Sequence, residues 1–179
     1  MDQPGSGTQD AQPGAKGGPH GNTRIRRMLS IPNPRSGPLE SFETRIACRP
    51  YELDSFGHIN HSVYLNYFEQ ARWEALAAAG FSYDALRARG WEVHVVRIEV
   101  DFRSEVRLGD ELRIRTFVDR HRRSASIFLQ EAWRDPAEEN GEAELVAEAR
   151  VVAVWIGEGR RPIRVPEDIK KALGEPARR

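Results

Sequence analysis

Between Tyr51 and Tyr64 the chain gathers the carboxylate of Asp54, the imidazoles of His58 and His61, the amide of Asn60 and the phenols of Tyr51 and Tyr64. A run with helical periodicity begins directly after them. The free N–H groups of a first helical turn, with the positive end of the dipole behind them, therefore fall beside these side chains. That combination suits acyl transfer, because amides can hold an oxyanion while a carboxylate attacks a carbonyl or activates water. Each residue also has a plain structural use. Asp54 ahead of Ser55-Phe56-Gly57 can close an Asx turn, Asn60 can cap the helix, and the two histidines can space the loop through ordinary hydrogen bonds. A metal site at Asp54, His58 and His61 is disfavoured: His-x-x-His is no common helical zinc spacing, and no second carboxylate follows on that face. Glu69, two turns into the helix, is a second catalytic carboxylate if a sheet encloses it, and otherwise pairs with Arg72. The single cysteine, Cys48, reads as a small core residue. There is no G-x-S-x-G elbow and no glycine-rich phosphate loop.

The elements that must position these groups are written in the periodicity. Phe42, Thr44, Ile46 and Cys48 alternate with polar residues and predict a half-buried strand. Tyr64, Tyr67, Phe68, Ala71, Ala75 and Ala78 recur at three- and four-residue steps, with Leu65, Trp73 and Leu76 beside that stripe, predicting a deeply enclosed helix stopped by Gly80. A short helix is expected over Tyr83–Arg89. Trp91 to Phe102 is one long strand whose apolar phase switches near Val95 and Val96; this requires an inserted residue or burial of both faces. Three further strands follow, with inward rows Leu112, Ile114, Thr116 and Val118, then Ala125, Ile127, Leu129 and Trp133, then Leu145, Ala147, Ala149, Val151, Ala153 and Trp155. The short turns between them predict an antiparallel meander. One strand, one long apolar helix and four strands give an α+β domain, in which both partners are satisfied if the sheet curls around the helix. Pro166 to Leu173 predicts a last short helix.

Composition divides the chain. Residues 1–38 hold 7 of the 15 Gly and 6 of the 11 Pro, and residues 1–40 read as a disordered tail too poor in apolar side chains to offset its ordering entropy. Within it, Arg24 to Leu29 is a short basic and apolar patch. Residues 41–160 form the domain, and 161–179 a C-terminal extension. Lys and Arg together number 27, as do Asp and Glu, which argues against a nucleic-acid binder built on bulk positive charge. No apolar run is long enough for a membrane span, and the N-terminus lacks a secretory h-region, so a cytoplasmic location is expected.

The stretch Tyr51-Glu-Leu-Asp54-Ser-Phe-Gly57-His58-Ile-Asn60-His61-Ser-Val-Tyr64-Leu-Asn-Tyr67-Phe-Glu69-Gln-Ala-Arg72 resembles the signature of the hotdog-fold acyl-CoA thioesterases of the 4-hydroxybenzoyl-CoA thioesterase family. The likeness continues through Val95 to Phe102 and the turn Leu108-Gly109-Asp110. It implies a hotdog fold, with an antiparallel sheet of about five strands around a long central helix. It also implies dimers or tetramers paired through sheet edges, and hydrolysis of an acyl-CoA or acyl-carrier-protein thioester. Coenzyme A then arrives as part of the substrate, with no separate cofactor and no metal. Asp54 matches the catalytic aspartate, as nucleophile or general base. His61 matches a position at the helix start, and the amides near Ser62 to Tyr64 would polarise the thioester carbonyl. Gly57, His58, Asn60 and Val63 would line the substrate, Val95, Val96 and Arg97 would wall the partner's acyl pocket, and Arg122 and Arg123 are candidates for the coenzyme phosphates. Many relatives carry Tyr four residues before the aspartate; here that position is Pro50, with Tyr51 beside it. An acyl-CoA-binding module without catalysis is the alternative. A dehydratase acting on hydroxyacyl thioesters lacks support, since the sequence shows no His and acid pair spaced as such an enzyme needs.

Overall fold

Residues 41–136 and 141–174 are described by the structure, a computed structural model; the tail over residues 1–40 lies outside them. The chain order is β1 (Phe42–Ala47), α1 (Val63–Ala78), α2 (Tyr83–Ala88), β2 (Glu92–Phe102), β3 (Glu111–His121), β4 (Ala125–Arg134), β5 (Glu144–Gly157), β6 (Arg161–Pro162) and α3 (Glu167–Ala172). All pairings are antiparallel, in the order β1-β3-β4-β5-β2, with the two-residue β6 on β5. The predicted meander is β3-β4-β5. The core joins Tyr64, Tyr67, Phe68, Ala71 and Leu76 of α1 to Ile46, Ile114, Phe128, Val151 and Trp155 of the sheet, so the sheet wraps the helix as the α+β reading requires.

Local chemistry explains the boundaries. α1 ends in a Schellman arrangement: the Phe81 amide donates to the Leu76 carbonyl at 2.8 Å, and Gly80 takes the left-handed conformation at φ 86° that this closure needs. The phase switch in β2 is a bulge. Val95 pairs with Ala153 and Arg97 with Val152, which leaves Val96 as the inserted residue.

Three expectations are corrected. In β4 the helix-facing row is Ser126, Phe128, Gln130 and Ala132, since Phe128 sits opposite the core residues Val118 and Val151. The predicted row, Ala125, Ile127, Leu129 and Trp133, lies on the other face, where the first three are also buried. Alternation carries no phase when both faces are covered. The polar side chains of the true inner row are satisfied internally: Gln130 donates to the Phe68 carbonyl and to Thr116 Oγ1, and the Trp155 indole donates to Ser126 Oγ at 2.9 Å. A second irregularity at Ala132 and Trp133 puts Val146 rather than Leu145 in the core. On α1, Ala78 is exposed and the charged Arg72 is buried in the stripe. The C-terminal segment is part of the core, through Val165, Ile169 and Leu173.

Candidate active site

Asp54 lies in the loop that brings the chain from β1 to α1, and the sequence fixes that loop from both sides. Its amide donates to the His58 carbonyl at 2.8 Å and its carbonyl accepts from Gly57 at 3.1 Å, with Gly57 at φ 77°. Carboxylate oxygen Oδ1 accepts from the Phe56 amide at 2.8 Å and the His58 amide at 3.1 Å. The Asx turn is therefore real, and none of these bonds uses Oδ2. The two amides, helped by the nearby His58 and His61, hold the Asp54 carboxyl below the ordinary aspartate range. It is a carboxylate at neutral pH.

The loop is anchored beneath by a residue that motif reading passed over. Glu52 is buried, and its carboxylate accepts from the Arg49 amide at 2.8 Å, from Arg49 Nη1 at 3.2 Å and from the hydroxyl of Tyr67 on α1. The Glu52 carbonyl accepts from the Asn60 amide, and the Ile59 amide donates to Val106 beyond β2. Burial, followed by this hydrogen bond to Glu52, drives the Tyr67 phenol far above its ordinary value. Burial likewise lifts the Cys48 thiol to about 11, against a thiolate role.

At the start of α1, Asn60 occupies the amides nearest to it. Its Oδ1 accepts from the Ser62 amide at 2.9 Å and the Ser62 hydroxyl at 2.8 Å, and its carbonyl from Val63 at 2.9 Å. Leu65 donates back to Ser62. Of the Ser62 to Tyr64 amides named from the resemblance, those of Ser62 and Val63 are taken up by Asn60, and that of Tyr64, like that of His61 just before the turn, takes no part in these bonds. The Tyr64 side chain is buried, packed edge-on against Phe102 with ring centres 5.3 Å apart, and burial pushes its phenol up to about 12. His61 is exposed and reaches the same Phe102 at 6.5 Å. The His58 ring pairs with Glu105, its Nε2 lying 3.0 Å from Glu105 Oε2.

The structure thus brings together Asp54, Gly57, His58, Asn60, His61, Val63 and Tyr64. It does not bring the remaining candidates to them within one chain. Val95, Val96 and Arg97 are exposed along β2, at the open edge of the sheet. Arg122 and Arg123 are exposed in the turn after β3, whereas Asp54 is near its start, where Cys48 donates to Asp110 and His58 bridges Arg107. Glu69 is exposed and makes no ion pair with Arg72 among the described residues. Among those residues no three His, Cys, Asp or Glu side chains are grouped to hold a metal ion, and no helix is long and apolar enough to cross a membrane.

Comparison with known proteins agrees with this geometry. The family model described as the thioesterase-like superfamily matches residues 48–173. The chain is 29% identical to acyl-acyl carrier protein thioesterase ATL3 of Arabidopsis thaliana, over 75% of this chain and 68% of that protein. It is 30% identical to the long-chain acyl-CoA thioesterase FadM of Escherichia coli, over 64% of this chain and 82% of that one. Among solved structures, the hypothetical protein TT1821 from Thermus thermophilus superposes with a TM-score of 0.64 at 35% identity, covering 73% of this chain and 95% of that one. A 4-hydroxybenzoyl-CoA thioesterase superposes with a TM-score of 0.68 at 20% identity, covering 75% and 99%, which shows the shared hotdog fold. An ordered aspartate loop at the mouth of a sheet-wrapped helix, and these matches across most of the described chain, place it in the thioesterase-like superfamily, as a thioester hydrolase of the hotdog fold.

Proposed function

We propose that the protein hydrolyses acyl-CoA or acyl-carrier-protein thioesters, with Asp54 as nucleophile or as general base for water and the His61 and Tyr64 amides as oxyanion donors. The observation that carries this reading is the division of labour in Asp54: Oδ1 is immobilised by two amides while Oδ2 is left for chemistry. A group held this way starts near its reacting geometry, and the ionised form it needs is the one its surroundings favour. Thiolate departure needs no strong general acid, because free thiols titrate near 8.5. Names of relatives support both carriers, one acting on acyl carrier protein and one on long-chain acyl-CoA. Pairing of two copies through the β2 edge would let Val95, Val96 and Arg97 wall the partner's acyl site.

Thiol release from a panel of acyl-CoAs and an acyl carrier protein, followed with a colorimetric thiol reagent, tests the assignment. Asp54→Asn should lower kcat by a factor of about 10² to 10⁴ while the protein still binds thioester. Turnover persisting in that variant would remove Asp54 from the mechanism, and saturable binding without any turnover in the wild type would favour the binding module.

A further inference from the structure

A cleft between the second half of α1 and the β2 side of the sheet is walled by Trp73, Leu76, Val93, Val95 and Phe128, and two charged side chains interrupt this apolar lining: Arg72 and Glu69. Arg72 is only 7% exposed. Its Nη1 donates to Gln130 Oε1 at 2.7 Å, and the amide of Gln130 is itself held by Phe68 and Thr116, so that oxygen cannot turn away. The partner is neutral. No carboxylate lies within ion-pair distance of Arg72 among the described residues, and burial lowers its guanidinium to about 10, only partly opposed by Glu69. A guanidinium has five N–H donors. Nε and Nη2 make no hydrogen bond among the described residues, and Arg72 lines the cleft. Glu69, one turn earlier on α1, lines the same cleft, and its side chain makes no hydrogen bond among the described residues.

A buried charge with a single neutral partner weakens a fold, so its place at an apolar cleft calls for a ligand group. A hydroxyl is the group that needs both a donor and an acceptor. A carboxylate would be drawn by Arg72 and repelled by Glu69, and a plain alkyl chain would leave both unused. Resting on the thioesterase reading above, we propose that this cleft is a specificity subsite for hydroxylated acyl groups, in which Arg72 donates a hydrogen bond to the hydroxyl oxygen, Glu69 accepts the hydrogen bond that the hydroxyl donates, and the apolar side chains around them flank the adjoining hydrocarbon. Arg72 lies about 14 Å along the helix from its first residue, Val63, a span suited to a hydroxyl well removed from the thioester.

The test compares dodecanoyl-CoA with its hydroxydodecanoyl isomers, the hydroxyl moved along the chain. The wild type should favour at least one isomer over the unsubstituted thioester by about tenfold or more in kcat/KM, and Arg72→Met should collapse that ratio toward one. The ratio cancels any general loss of activity. Calorimetric binding of the same CoA esters to the Asp54→Asn protein supplies a second readout, independent of turnover and of whether the Arg72 variant folds. Equal Kd values for all isomers and the unsubstituted ester would overturn the subsite, whereas selective binding by a wild-type protein that hydrolyses nothing would overturn the thioesterase reading and leave the subsite standing.

Discussion

At the scale of single residues, the two amide bonds to Asp54 have a consequence for pH. They hold its carboxyl below the ordinary aspartate value of about 3.9. The ionised form that the proposed mechanism uses therefore persists as pH falls, and the acid limb of kcat/KM should lie below that value rather than near it. The linked stability has the same sign: these bonds contribute above the unfolded pKa, and their contribution is lost as pH falls through the lower folded one. A kcat/KM profile from pH 3 to 7, read with circular dichroism on the same samples, checks the prediction; an acid limb near 6 with the fold intact would contradict it. The turn at Asp54 was legible because an aspartate ahead of Ser55-Phe56-Gly57 is itself a turn signal. Glu52 and Arg72 were not legible as buried groups. Each stands where a charge normally means solvent, and only the contacts of Glu52 with Tyr67, and of Arg72 with Gln130, show otherwise.

Between elements, the join that matters most is Tyr67 of α1 holding Glu52 of the Asp54 loop. Tyr67→Phe keeps the ring in the core but withdraws one donor from a buried carboxylate. It should cost about 1 to 3 kcal/mol of stability, read by chemical denaturation. Because the loop is released rather than the substrate site removed, kcat should fall more than KM rises; an unchanged kcat would mean that the loop holds Asp54 without this anchor. Helix α1 and the bulge in β2 were both readable in advance, since each leaves a signature in the period of apolar residues. The facing of β4 was not. Its helix-facing row contains Ser126 and Gln130 while its outer row contains Ile127 and Leu129, so hydrophobicity pointed to the wrong side. What decides the facing is the register with β3 and β5, a long-range pairing that no local window contains.

At the scale of the whole molecule, β2 poses the open question. It is an edge strand of 11 residues, with Val95, Val96 and Phe102 exposed, and a long apolar edge is a template for pairing with another chain. Along β3, the 11 residues between the Asp54 end and the Arg122 and Arg123 turn span about 35 Å. Within one chain, these arginines are therefore too far from Asp54 to hold the coenzyme of the same substrate. Antiparallel pairing of β2 with a second β2 would reverse one copy against the other and bring the partner's turn toward Asp54. Two outcomes are expected. Val96→Lys, which puts a charge on the edge, should shift the protein to monomer by sedimentation and raise KM for acyl-CoA together. Mixing Asp54→Asn subunits with subunits carrying Arg122→Ala and Arg123→Ala should restore activity that neither variant has alone, because one site of each mixed dimer then combines an intact Asp54 with intact arginines from the other chain. If the mixture is no more active than the average of its parts, the coenzyme phosphates are not held across the pair, and the β2 edge serves some purpose other than completing the site.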